Sequence, residues 1–157
     1  MIEVNERIEV ASTPQAVWSI LSDPAAVVEC VEGAVLGDKQ EDGSFNAKMT
    51  VKFGPAKVSF AANVLVAYDE PNKAGRVTAR GKDGISGTKF NTTMQFKVEG
   101  QDTPPDSVKC AIPIKAECEL SGRLAHLIES GANLVIKRMT ASFAGKLAQK
   151  CGGAKAS

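Results

Sequence analysis

The sequence is poor in the residues most enzymes use for chemistry: it holds one histidine, one tryptophan and one tyrosine, and its four cysteines include no Cys-x-x-Cys pair. A single imidazole leaves no defensible Ser/His/Asp or Cys/His arrangement, and a zinc site would need unusual partners. Cys30, Cys110, Cys118 and Cys151 therefore read as reduced, structural thiols, the usual state in a reducing compartment. Charge of either sign is not in excess. There are 19 basic and 18 acidic side chains and no Lys/Arg run longer than two, which argues against nucleic acid as a partner. No apolar run approaches the roughly 20 residues of a membrane span. Met1-Ile2-Glu3-Val4-Asn5-Glu6 lacks the basic and apolar regions of a signal peptide. The expected location is cytoplasmic. No low-complexity linker divides the 157 residues, so residues 1–151 read as one domain, with 152–157 as a short flexible tail.

What is present is a clear two-residue period. Phe45, Ala47, Met49, Val51 and Phe53 alternate with Ser44, Asn46, Lys48, Thr50 and Lys52, as in a strand with one dry and one wet face. After a turn at Gly54-Pro55 the pattern repeats through Val58, Phe60, Ala62, Val64, Val66 and Tyr68. A turn at 70–73, a third strand at Arg76–Arg80 and a hairpin at Gly81–Gly84 lead to Phe90, Thr92, Met94, Phe96 and Val98. An exposed loop with two prolines spans 100–106. The last strand carries Cys110, Ile112, Ile114, Ala116, Cys118 and Leu120 on one side, and Pro113 within it implies a bulge or an edge. Before this meander lie a first strand (Val4, Ile8, Val10) and two short helices. The first helix is opened by Ser12-Thr13-Pro14, and the second follows Asp23-Pro24. Trp18 reads as a packing anchor.

From Leu124 to Cys151 the sequence predicts one helix of roughly 40 Å, with Ser121 as N-cap and Gly152-Gly153 as the stop. At 100° per residue Leu124, Leu127, Ile128, Gly131, Leu134 and Val135 form an apolar face. Beyond Val135 the stripe drifts through Met139, Phe143 and Leu147, bringing Arg138 and Ser142 towards the covered side. The predicted fold class is α+β, a curved antiparallel sheet of about seven strands wrapped around the long C-terminal helix. Small inward residues (Ala47, Ala62, Ala79, Ala116, Gly131) fit either an apolar void or a space filled by neighbouring Phe and Met side chains.

Several of these residues also carry a resemblance. Val17-Trp18 with Asp23-Pro24, Cys30-x-x-Gly33, Val51-Lys52-Phe53-Gly54-Pro55-Ala56-Lys57, Gly122-Arg123-Leu124-Ala125 and Phe143 together resemble the CoxG family of carbon monoxide dehydrogenase subunits, a branch of the helix-grip (START/Bet v 1-like) superfamily. The resemblance implies a sheet gripping the C-terminal helix around a hydrophobic cavity, with no catalytic constellation and no cofactor. It also implies association with a molybdenum hydroxylase of the carbon monoxide dehydrogenase type and the binding of an apolar small molecule, quinone-like or lipid-like. The expected lining is Met49, Val51, Phe60, Ala62, Val64, Thr92, Met94, Phe96, Ile112, Ile114, Ala116, Leu127, Gly131, Leu134 and Val135, with Arg138 as a head-group contact. Glu32 stands where the family usually has proline, and Ile128 where glycine is frequent. Many relatives continue into a tail thought to reach the membrane. The present sequence ends at Ser157, and membrane contact is expected to be at most peripheral, at the inner face.

Other candidates carry less. His126 falls on the wet side of the helix. The Gly81-x-x-Gly84-x-x-Gly87 spacing joins two strands and opens no helix, so its glycines serve turns rather than a phosphate. Asp69, Glu70, Glu41, Asp42 and Asp83 sit at strand ends where carboxylates are solvated. Three functional classes follow: a carrier of an apolar molecule, an accessory protein for an oxidoreductase with an incidental cavity, and a cyclase- or hydrolase-like enzyme. The third should place several polar groups inward, and only Thr92, Cys110 and Cys118 do so by pattern.

Overall fold

Alternation of apolar and polar residues becomes strand wherever it occurs. The structure, a computed structural model, describes residues 1–53, 55–100 and 109–151. Gly54 of the first turn, the proline-containing stretch 101–108 and the tail 152–157 lie outside the described residues. In chain order the elements are β1 (Ile2–Val10), α1 (Pro14–Leu21), α2 (Pro24–Cys30), β2 (Ala34–Lys39), β3 (Phe45–Phe53), β4 (Ala56–Asp69), β5 (Ala74–Lys82), β6 (Lys89–Lys97), β7 (Glu99–Gly100), β8 (Cys110–Ser121) and α3 (Ala125–Lys150). The sheet is antiparallel in the order β1-β8-β6-β5-β4-β3-β2, with the two-residue β7 paired to β8. The long C-terminal helix lies against it, which is the predicted helix-grip architecture.

Local chemistry accounts for the helix starts. Thr13 Oγ1 accepts from the Ala16 N–H at 3.1 Å and Asp23 Oδ1 from the Ala25 N–H at 3.1 Å, each with proline in the first turn. Ser121, predicted to cap α3, instead ends β8. The cap residue of α3 is Leu124, which has no side-chain capping bond. Its N–H is accepted by Thr88 Oγ1 at 2.9 Å, from the loop between β5 and β6. That loop is built on Asp83, predicted to be solvated but in fact buried. Its carboxylate accepts from the Ser86 hydroxyl and from the N–H groups of Ile85 and Ser86, which hold the carboxyl below its ordinary pKa. Gly122 permits the close approach of loop and helix: its φ is +115°, and a Cβ there would lie 2.7 Å from Thr88 Cα.

Pro113 explains a break in the sheet. β8 is an interior strand, paired with β1 along its length, but its partner on the other side changes from β6 to β7 around Pro113. Proline has no N–H to give a ladder. The Val98 N–H turns away to the carbonyl of Lys73 at 2.8 Å.

Register fixes which residues share the concave face. One row runs Val4, Ala116, Met94, Val77, Val66, and the next runs Ile2, Cys118, Thr92, Ala79, Val64, Phe45. The packed core divides into two clusters. One joins Ile8, Val10, Val17, Trp18, Leu21, Cys110, Ile112 and Leu147 beneath α1 and the end of α3. The other joins Val51, Val58, Phe60, Ile128 and Val135 beneath its first half. α3 packs on β1 and β3 at the two sides of the sheet and on the short helices.

The buried arc of α3 differs from the prediction. Ile128, Ala132, Val135 and Leu147 are buried, whereas Leu127 is exposed and Leu134 is 81% exposed. The arc in the first half is centred roughly 70° round from the predicted face, at 100° per residue. The small Ala132 belongs to it and the large Leu134 does not. Close approach to β1, where the Met1 ammonium reaches Glu129 and Lys137 reaches Glu6 at 3.1 Å, favours a small side chain on that side.

Candidate ligand-binding site

Between the two packed clusters lies a stretch of dry sheet that neither includes. Val64 and Val66 of β4, Val77 and Ala79 of β5, and Thr92 and Met94 of β6 all point to the concave face, yet each is only partly buried and belongs to neither cluster. Apolar side chains on a sealed interface would be buried. Their partial exposure, beneath a helix whose contacts concentrate on β1 and β3, is what a gap between helix and sheet requires.

The predicted lining residues divide among four places. Ala62, Val64, Thr92 and Met94 lie on the gap, with Ala116 buried between Val4 and Met94, and Gly131 half-buried on α3. Val51, Phe60 and Val135 are packed core, with Met49 against them, and close one end. Ile112 is packed core with Phe96 and Ile114 against it, and closes the other. Leu127 and Leu134 point away and cannot line it. Arg138 is half-exposed on the rim, its Nε 3.5 Å from Glu32 Oε1. It ties α3 to the turn after α2.

Four contributors stand outside the expected lining. Alternation already places Val66 and Ala79 inward although the expected lining omits them, and Val77 follows from the same period. Glu6 explains why the first strand alternates imperfectly: it occupies an inward position, and its carboxylate accepts from Lys137 Nζ at 3.1 Å. Few other polar groups face inward. Thr92 and Cys118 are register partners. Burial pushes the Cys118 thiol up, and the Thr92 hydroxyl beside it acts in the opposite sense. Cys110 lies wholly within the α1 cluster.

Trp18 is more than an anchor. Its ring meets Tyr68 edge-on at 5.9 Å between centroids and Phe96 at 6.4 Å, both inward residues at the α1 end of the gap. Phe96 fits there because its register partner is Gly75, where a Cβ would fall 2.4 Å from the ring. Among the described residues, the buried Trp18 indole N–H has no hydrogen-bond partner. Such donors are normally satisfied. The Tyr68 hydroxyl stays protonated, burial pushing its pKa up.

The sequence matches CoxG, the family of carbon monoxide dehydrogenase subunits, over residues 7–152. The chain belongs to that family. No curated protein matches it. Among solved structures, a conserved protein from Geobacillus kaustophilus is 22% identical, with a TM-score of 0.79 over 99% of this chain and 97% of its own. The Zhui aromatase/cyclase from Streptomyces sp. R1128 is 12% identical, with a TM-score of 0.56 over 96% of this chain and 93% of its own. Norcoclaurine synthase from Thalictrum flavum is 17% identical, with a TM-score of 0.57 over 94% and 91%. At these identities the likeness shows the helix-grip fold alone. The CoxG family takes its name from an accessory component, whereas two of these neighbours are enzymes. Among the described residues, this CoxG-family chain has no cluster of three or more His, Cys, Asp or Glu side chains fit for a metal, and no helix long and apolar enough to cross a membrane.

Proposed function

We propose that the protein binds and carries an apolar small molecule, quinone-like or lipid-like, in the gap between α3 and the centre of the sheet, as an accessory to a molybdenum hydroxylase of the carbon monoxide dehydrogenase type. The observation that carries the reading is the set of partly buried valines, alanine and methionine on β4–β6 that belong to neither packed cluster. A ligand covering them would remove apolar surface from water at about 25 cal/mol per Å². The walls supply little that could do chemistry: Glu6 is engaged by Lys137, Thr92 lies beside Cys118, and His126 is exposed on α3. The proposal is therefore a carrier rather than an enzyme.

Orientation of the ligand is assigned to Trp18. A buried indole N–H without a partner among the described residues, beside Tyr68 and Phe96, is suited to donate to a carbonyl or carboxyl oxygen. Arg138, on the rim and already paired with Glu32, is the alternative contact for an acidic head group. The association with an oxidoreductase rests on the family's name.

The test is direct. An apolar fluorescent probe should bind with one-to-one stoichiometry and be displaced by a quinone or a fatty acid, and an organic extract of the purified protein should contain an apolar molecule by mass spectrometry. Trp18→Phe keeps the ring and removes the donor, so it should weaken a carbonyl-bearing ligand more than a plain hydrocarbon. Probe uptake no greater than that of an ordinary compact protein, together with an empty extract, rules the carrier out and leaves the accessory role with an incidental gap.

A further inference from the structure

Near-neutral overall charge conceals a segregation on the outer face of the sheet. The chain has 19 basic and 18 acidic residues, yet β3, β5 and β6 contain no acidic residue and β4 only Asp69 at its end. Two rows cross these strands on the outer face. One is Lys48, Ala61, Lys82, Lys89, and its neighbour is Asn46, Asn63, Arg80, Asn91. Both rows line an open hollow of about 920 Å³ to which no α3 residue contributes.

Three features mark this surface as built to receive something. Lys82 stands directly opposite Lys89, and Lys52 opposite Lys57, an arrangement that weakens a ladder because like charges repel across a register pair. None of these lysines, nor Arg80, forms an ion pair among the described residues. The hollow also carries amide and small groups: Asn63 Nδ2 donates to Ser44 Oγ at 2.8 Å, and Ala61 and Gly37 line the same hollow.

We propose that this outer face, around Lys48, Arg80, Lys82 and Lys89, docks an acidic segment of a partner protein. Four cations that form no ion pair among the described residues supply the attraction and the encounter rate. The asparagines offer donors and acceptors to a peptide backbone that enters the hollow. A protruding loop can enter the open hollow and meet its amides as well as its cations, whereas a flat bilayer is reached first by the longer lysine side chains. The four cations stand at outward register positions, alternate to the inward row Ala47, Ala62, Gly81 and Phe90 that also borders the hollow, so the proposal stands whatever the gap under α3 carries.

The experiment uses the full chain and a fluorescein-labelled poly-glutamate peptide, read by anisotropy at low and high salt. The parent should bind, more weakly as salt screens the charges. The variant Lys48→Gln/Arg80→Gln/Lys82→Gln/Lys89→Gln should lose at least about tenfold in affinity, while Arg7→Gln/Lys115→Gln on β1 and β8 should bind as the parent does. Asn46→Ala/Asn91→Ala should still weaken binding at high salt, which diffuse attraction alone does not predict. These side chains are exposed, and removing them relieves repulsion, so the variants should melt no lower than the parent; single Lys82→Gln and Lys89→Gln should show the same order of effects. Equal binding by parent and quadruple variant overturns the proposal. So does tighter binding to vesicles of anionic phospholipid, or to duplex DNA, that the peptide fails to compete.

Discussion

Thr88 shows how much of this fold rests on a single side chain. It is wholly buried, its hydroxyl accepts from the Leu124 N–H, and it lies 2.8 Å from Ser86 Oγ. It thereby does for α3 what Ser121 was expected to do. Thr88→Val keeps shape and removes the acceptor, leaving a donor at a helix start unsatisfied, and should lower stability by about 1 to 2 kcal/mol. Urea denaturation measures this, and an unchanged midpoint would show that α3 has another cap. The same titration repeated in acid tests Asp83. Its carboxyl is held below the ordinary value by the Ser86 hydroxyl, the largest cause, and by the N–H groups of Ile85 and Ser86. A depressed folded pKa contributes stability above the unfolded value and loses it as pH falls through the folded one. Asp83→Asn should therefore be less stable than the parent at neutral pH, with the difference shrinking as pH drops below the usual carboxylate range. Neither role was legible in the sequence. A Gly-rich hairpin announces a turn, and nothing local tells that a helix 36 residues later will borrow its hydroxyl.

At the scale of elements, the strands were legible and the helix face was not, for one physical reason. A period of two leaves no freedom: once Phe45 faces inward, Ala47, Met49 and Val51 must do so, and the register shows that they do. A helix offers a continuous choice of angle. Counting large apolar residues selects Leu127 and Leu134, whereas the packed arc runs through Ile128, Ala132 and Val135, with Met139 against it. The sheet, not the helix's own composition, sets the angle. Two substitutions separate the two faces. Leu134→Glu changes a side chain that is 81% exposed and should shift stability by no more than about 0.5 kcal/mol. Ile128→Ala removes buried atoms from the cluster with Phe60 and Val58 and should cost about 2 to 5 kcal/mol. Thermal or urea unfolding of both reads the answer, and the reverse order of effects would mean that α3 is rotated from the angle described.

For the whole molecule, the question is why a sheet with so many inward apolar residues leaves some of them only partly buried. α3 is a single rod whose sheet contacts concentrate on β1 and β3, so the middle strands receive little cover from it. The sequence showed the small residues but could not decide between a void and a filled space, because that depends on where Phe60, Phe90 and Phe96 turn. They turn to the ends: Phe60 and Phe90 meet edge-on at 5.0 Å in one cluster, and Phe96 packs against the other. Ala79 then sits mid-sheet between Val64 and Thr92 with nothing large opposite it in register. Ala79→Leu distinguishes a gap from a tight interface. In a tight interface the added atoms overpack and should cost about 1 to 3 kcal/mol. In a gap they cover exposed neighbours at roughly 0.8 kcal/mol per buried methylene, so the melting temperature should hold or rise while the occupied volume abolishes binding of an apolar probe. Measuring both on one preparation closes the argument, because a variant that is strongly destabilised yet binds the probe as the parent does would place the binding surface elsewhere on the molecule.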